Sequence, residues 1–198
     1  MNYPKTIRDL IEVYKKFPGV GEKSAERLAL ATLSFDEETN IKFSDTVRNI
    51  KTKIKRCTIC NNLTEEELCD VCKDNSRNKK IICVVEDPKN VILFEKIGVY
   101  NGLYHVLGGL ISPLDGINPE NLKIKSLIER VKKDEIEEVI LALKPSIEGE
   151  TTVLYINKLL EKQKIKITKI AHGIPLGADM EYIDSLTLEL ALEKRTEV

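Results

Sequence analysis

Apolar residues recur at helical spacing in the first part of the chain and in short unbroken runs further along, and this change of period divides the sequence. Ile7, Leu10, Ile11 and Tyr14 predict a helix that stops at Phe17-Pro18-Gly19-Val20-Gly21. A second helix opens near Glu22, with Ala25, Leu28 and Ala29 on its apolar face. The pattern breaks over 36–40, and a third helix is expected over about 44–55. The character changes at Lys79. Residues 81–85 are all apolar, as expected of a strand covered on both faces, and 104–107 and 139–143 read the same way. Residues 165–171 alternate through Lys166 and Thr168 and predict a half-exposed strand. Helical patterns lie between these runs over 88–97, 121–133 and 151–162, so the expected fold is an α/β domain with a parallel sheet, preceded by helices. A last helix runs from Asp184, its expected N-cap, to Glu193, with Leu186, Leu190 and Leu192 as a stripe that packs on its own domain or on a neighbouring subunit.

Between the two halves stand Cys57-x-x-Cys60 and, eight residues later, Cys69-x-x-Cys72. Two CxxC pairs this close can share one tetrahedral Zn²⁺ through four thiolates, and the short spacer lets them converge without a core. Four thiolates leave no open coordination position, so the site predicts a structural staple and not an active site. Disulfides are the rival, but they belong to secreted chains, and nothing here looks secreted. Without an N-terminal apolar segment or an apolar run near the ~20 residues of a membrane span, a cytoplasmic location is expected. Cys83, inside the apolar run 81–85, reads as a small buried hydrophobe.

The net charge of −1 hides an uneven distribution: +4 over residues 1–56, −1 over 57–80 and −4 over 81–198. Arg48, Lys51, Lys53, Lys55 and Arg56 are grouped with no acid among them. A solvated helix face accounts for such a run, yet a basic N-terminal part in a neutral chain also invites a phosphate partner.

The turn Phe17-Pro18-Gly19-Val20-Gly21-Glu22-Lys23-Ser24 joins two short helices. Pro18 fixes its own φ, while Gly19 and Gly21 permit positive φ and close backbone approach. Amides of the turn and of the next helix's first turn form an anion site, with Lys23 beside it and Arg27 one turn further on. A nucleotide P-loop is excluded, because its spacing is absent and no strand precedes the turn. A plain helical hairpin without a ligand explains the turn equally well. The string as a whole resembles a helix-hairpin-helix motif, which binds DNA backbones without reading sequence; that resemblance assigns the contact to Gly19, Gly21, Lys23 and Arg27.

Glu86 and Asp87 follow the run 81–85, and Lys144-Pro145-Ser146-Ile147-Glu148-Gly149-Glu150 follows 139–143. Ligands collect beyond the carboxyl ends of parallel strands, so Glu86, Glu148 and Glu150 could converge on Mg²⁺. Ordinary loop acids or caps near a helix starting at Thr151 are the alternative, and composition alone favours it. The arrangement resembles a Toprim domain, which places a glutamate after its first strand and an Asp-x-Asp pair after a later one. Glu86 matches the first element, but Lys144-Pro145-Ser146 stands where the aspartates belong. Without those acids a two-metal phosphoryl transfer is not expected. Weak Mg²⁺ binding, or a partner-facing role, is what remains for Glu86, Asp87, Glu148 and Glu150. His105 and His172 lie near strand ends with no nucleophile signature around them and read as structural.

Taken in order, these pieces resemble the RecR family of bacterial recombination mediators over essentially the whole chain. The motifs that carry the likeness are the turn running on to Ala29, the two CxxC pairs, Val84-Val85-Glu86-Asp87-Pro88, Gly109-Leu110-Ile111-Ser112-Pro113-Leu114-Asp115-Gly116, Ile147-Glu148-Gly149-Glu150-Thr151-Thr152 and Ala171-His172-Gly173-Ile174-Pro175-Leu176-Gly177. The resemblance implies a helix-hairpin-helix region over 1–56, a four-cysteine zinc finger over 57–72, a Toprim domain over 79–174 and a helical tail over 175–198. It also implies a non-catalytic role in DNA repair: a homotetrameric ring around DNA, acting with RecO and RecF to load RecA onto single strands coated by single-strand-binding protein. One departure is specific to this chain: the family usually carries Asn where Lys144 stands, so metal affinity at that corner is expected to be lower still. An active Toprim nuclease or primase-like enzyme, or a zinc-stapled DNA-binding adaptor, are the alternatives.

Overall fold

The computed structural model describes residues 3–171, 173–175, 177–193 and 195, without the side chains of Leu186 and Leu190. The chain forms two compact units, Met1–Ile54 and Lys55–Val198.

The first unit is helical: α1 (Lys5–Tyr14), α2 (Glu22–Leu33) and α3 (Glu37–Lys53). Ile11, Ala25 and Ala29 are buried together, with Ile7, Leu10, Tyr14 and Val20 packed around them. Two alanines on α2 let the helices approach closely, and Leu28, expected on this face, is instead exposed. The Tyr14 hydroxyl lies 2.6 Å from Thr32 Oγ1 across the pair. α3 starts well before the expected Ser44, because Asp36 is its N-cap: the carboxylate accepts the Thr39 amide at 2.7 Å. What read as a break in the pattern is a helix start. No residue of α3 is buried, and Phe43, Val47 and Ile50 are exposed.

The second unit opens with an antiparallel pair, β1 (Lys55–Arg56) and β2 (Leu63–Thr64), followed by the short α4 (Asp70–Lys73). Then come β3 (Asn78–Val85), α5 (Pro88–Ile97), β4 (Gly102–Val106), α6 (Ile124–Lys133), β5 (Glu138–Leu141), α7 (Ile147–Leu160), β6 (Lys166–Lys169) and α8 (Ser185–Glu193). The four longer strands form one parallel sheet in the order β4-β3-β5-β6. Ile82, Val84, Val85, Val106 and Val139 are fully buried in it, as the unbroken apolar runs predict. β6 is a half-exposed edge strand. α5 has the expected bounds, set by the Asp87 cap, Pro88 in its first turn and Gly98 at φ 72° closing it. α7 starts four residues before Thr151, since Ser146 caps it by accepting the Gly149 amide at 3.2 Å. Asp184 caps α8 through the Thr187 amide at 2.9 Å. Leu192 of the expected stripe is exposed, whereas the Leu186 and Leu190 side chains and His172 lie outside the described residues.

β4 follows β3 in the chain and lies on one side of it, while β5 lies on the other. The helices leaving the carboxyl ends of β3 and β5 therefore diverge, opening a crevice between those ends. His105, on β4, is fully buried, with Nε2 2.9 Å from the Lys123 carbonyl oxygen. Burial lowers its pKa from 6.5 to about 4. The folded protein therefore holds His105 neutral, while the unfolded chain takes up a proton below pH 6.5. Stability is fully present above pH 6.5 and is lost as the pH falls toward 4, at about 1.4 kcal/mol per pH unit once the pH is well below 6.5. Denaturant unfolding between pH 7 and 5 should show this decline, and His105→Gln should flatten it.

Candidate functional site

Three constellations in the sequence were candidates for chemistry: the cysteines, the hairpin turn and the acids beyond the strands. The cysteines come together. The sulfurs of Cys57, Cys60, Cys69 and Cys72 lie within 4.8 Å of one another, with Cys57, Cys60 and Cys69 buried. Zn–S bonds of about 2.3 Å in a tetrahedron set sulfurs about 3.8 Å apart, so the donor set fits Zn²⁺. Among the described residues this is the one group of three or more potential ligands gathered so closely. The Cys60 and Cys69 sulfurs are 3.4 Å apart. Hydrogen bonding from Cys60 and Cys72 holds the Cys69 thiol far below its ordinary range, while the same crowding pushes Cys60 up.

The zinc module does not stand apart from a core, as the short spacer suggested. Cys57, Cys60, Cys69 and Val71 belong to the same apolar cluster as Ile82, Val84 and Tyr104 of the sheet. Two hydrogen bonds make the join. The Val106 amide donates to the Cys60 carbonyl at 2.8 Å, and Asn61 Nδ2 donates to the Val106 carbonyl at 2.9 Å. β4 is the edge of the sheet, and the backbone amide and carbonyl of Val106 point away from it, because the Leu107 amide pairs inward with Val85 at 2.9 Å. The knuckle thus satisfies both polar groups of an edge residue that would otherwise be open. Asn61 reaches this position with φ at 62°, a conformation asparagine tolerates better than most residues. Sequence reasoning missed Asn61; its place directly after a CxxC pair was the available signal.

In the hairpin turn, Gly19 has φ 78°, whereas Gly21 is extended at φ −85° as the N-cap of α2. Positive φ is therefore needed at Gly19 alone. A Cβ at either glycine would meet open space, and among the described residues no side chain caps the α2 N-terminus. First-turn amides are left facing outward, the arrangement that receives an anion. Lys23 and Arg27 are exposed one turn apart. Among the described residues neither has an ion-pair partner, in contrast with Lys15, held by Glu22 at 2.8 Å and Glu12 at 2.9 Å.

The acids separate. Glu86 and Glu148 line an open cleft of about 310 Å³ at the crevice, together with Asp87, Asp115, Lys89 and Lys144. Glu150 does not join them; it forms an ion pair with Lys169 of β6 at 2.9 Å. The early start of α7 is the cause, since it carries Glu148 and Glu150 into the helix's first turn, where successive positions point apart. Asp87 serves as the α5 cap, accepting the Lys89 amide at 2.8 Å. Hydrogen bonding to Ser146 holds the Glu148 carboxyl below its ordinary range. Asp115 of the 3₁₀ turn Pro113–Asp115, which sequence reasoning had not singled out as a site, accepts the Ser112 hydroxyl at 2.6 Å.

With this geometry in place, comparison with known proteins covers nearly all of the chain. Residues 7–51 match the RecR helix-hairpin-helix, 54–74 the RecR four-cysteine zinc finger domain, 80–171 the Toprim domain and 173–196 the RecR C-terminal region. The recombination protein RecR of Staphylococcus aureus strains JH9, Newman and JH1 is in each case 46% identical over 198 residues, covering 100% of both chains.

The knuckle-to-strand join predicts how the metal is coupled to the sheet. Asn61→Ala should leave zinc content unchanged and cost about 2 kcal/mol, for a lost hydrogen bond and an unfavourable backbone, whereas Asn61→Gly should cost about 1. Denaturant unfolding with a zinc assay on the same samples distinguishes them.

Proposed function

The chain belongs to the RecR family of recombination proteins, and from that premise we propose that it is a non-catalytic mediator that grips DNA through the α1–α2 turn. Membership places it in recombination and DNA repair; the finer assignment is our reading. The observation that carries it is the uncapped N-terminus of α2 beside Lys23 and Arg27, exposed and, among the described residues, unpaired. Backbone phosphates fit this site: outward amides and two cations at one helix end bind charge without reading bases. Gly19 and Gly21 provide the clearance for a phosphodiester to approach.

In this reading each chain carries one structural zinc on Cys57, Cys60, Cys69 and Cys72, which supplies rigidity and no chemistry. The chains assemble as a homotetrameric ring around DNA. The exposed Phe43, Val47 and Ile50 of α3 support assembly, since such a helix gains stability only by covering that face. Several copies of Lys23 and Arg27 facing one channel would sum into a strong local field although the whole chain is nearly neutral. RecO and RecF are the partners, and loading of RecA onto single strands coated by single-strand-binding protein is the outcome. No helix among the described residues is long and apolar enough to cross a membrane, and we place this work in the cytoplasm.

The double change Lys23→Ala/Arg27→Ala should weaken duplex and single-strand binding at least tenfold. It should also make the dependence of log K on log salt shallower by about 1 to 2. Zinc content and folding should be unchanged. Unaltered affinity and salt slope would overturn the hairpin as the DNA site.

A further inference from the structure

The Toprim fold implies a divalent cation held by acids at the strand ends, and the residues at this cleft do not fit one. Each candidate ligand already has a partner, Glu148 with Ser146 included. Glu86 Oε2 accepts the backbone amide of Lys144 at 3.4 Å, Asp87 caps α5, Asp115 takes the Ser112 hydroxyl, and Glu150 is outside the cleft on Lys169. Among the described residues no carboxylates gather as the four cysteines do.

What the cleft has instead is a lysine on an anchored stretch of backbone. Lys144 follows β5, next to the end of β3, where Ala142 N donates to the Val84 carbonyl at 2.9 Å. Its backbone is held from both sides. The amide points at Glu86, and the carbonyl oxygen lies against the first turn of α7, where a Cβ on Gly149 would overlap it. Gly149 is therefore the residue that lets this segment lie so close, and Ser146 N closes the turn onto the same carbonyl at 2.9 Å. From that anchored position Lys144 lines the cleft with Glu86, Asp87, Asp115, Glu148 and Lys89; it is exposed and, among the described residues, in no direct ion pair, but its charge is felt at Glu148.

We infer that Lys144 is the built-in counter-ion of this cleft: its ammonium takes the part a divalent cation plays in Toprim enzymes, and the cleft binds no Mg²⁺. An ammonium on a tethered stem neutralises neighbouring carboxylates continuously, and its charge repels any divalent ion entering the same volume. The cleft is then an electrostatically closed corner whose geometry does not depend on Mg²⁺ concentration. This holds whether or not the hairpin binds DNA.

The test uses the zinc-loaded full chain titrated with Mn²⁺ alone, following free Mn²⁺ by electron paramagnetic resonance. Wild type should show no saturable site up to millimolar Mn²⁺. Lys144→Asn and Lys144→Met should both gain one, at least tenfold tighter than any residual wild-type binding, and Glu86→Gln added to either should remove it. Thermal unfolding and zinc content of each variant show that it is folded. Saturable wild-type binding that Glu86→Gln abolishes would overturn the inference. So would no gain in either variant. A gain in Lys144→Asn without one in Lys144→Met would overturn it too, because the new amide ligand and not the missing charge would then be the cause.

Discussion

Four thiolates cannot share one buried volume without a cation between them, and the second unit is organised around that requirement. Zinc held by Cys57, Cys60, Cys69 and Cys72 would fix the backbone of the first knuckle, which offers the Cys60 carbonyl and the Asn61 amide to Val106. An exposed sheet edge is thereby closed, and three of the cysteines become part of the same apolar core as the parallel sheet. The four-cysteine site is thereby tied to the stability of the fold. Where zinc fingers on flexible tethers stabilise only themselves, this one is joined to the end of β4, with β3 and α5 intervening in the chain.

The sheet positions the acids but does not arm them. Topology puts the ends of β3 and β5 beside each other, so Glu86 and Glu148 face a common cleft, as they would in a phosphoryl-transfer enzyme. Chemistry then depends on whether positive charge there can come and go. Lys144, its backbone held by Glu86 on one side and packed against Gly149 on the other, is covalently part of the chain. On the first unit, Lys23 and Arg27 stand exposed beside an uncapped helix end.

Much of this architecture is legible in the sequence, because its strongest signals are short-range. The CxxC spacing, the Asp87-Pro88 start and Gly98 stop of α5, and the apolar runs of β3 to β5 each depend on neighbours in the chain. Misreadings arose where a distant partner decides. Asn61 matters through Val106, 45 residues away. α7 begins at Ile147 because Gly149 must clear Lys144 and Ser146 caps the first turn, whereas periodicity alone favours a later start among the β-branched Thr151 and Thr152. That shift also sends Glu150 to Lys169 and removes it from the cleft. Leu28 fits the helical spacing of α2, yet the α1–α2 contact is narrow enough that Ala25 and Ala29 fill it.

The central claim is that DNA is held by the hairpin turn and not by the Toprim cleft. Hydrogen–deuterium exchange on the full, zinc-loaded chain, with and without duplex DNA, tests it most directly. The account predicts DNA-dependent protection of amides across residues 19–27, with 86–87 and 144–150 unchanged. Protection confined to 86–87 and 144–150, with the turn exchanging as before, would contradict it.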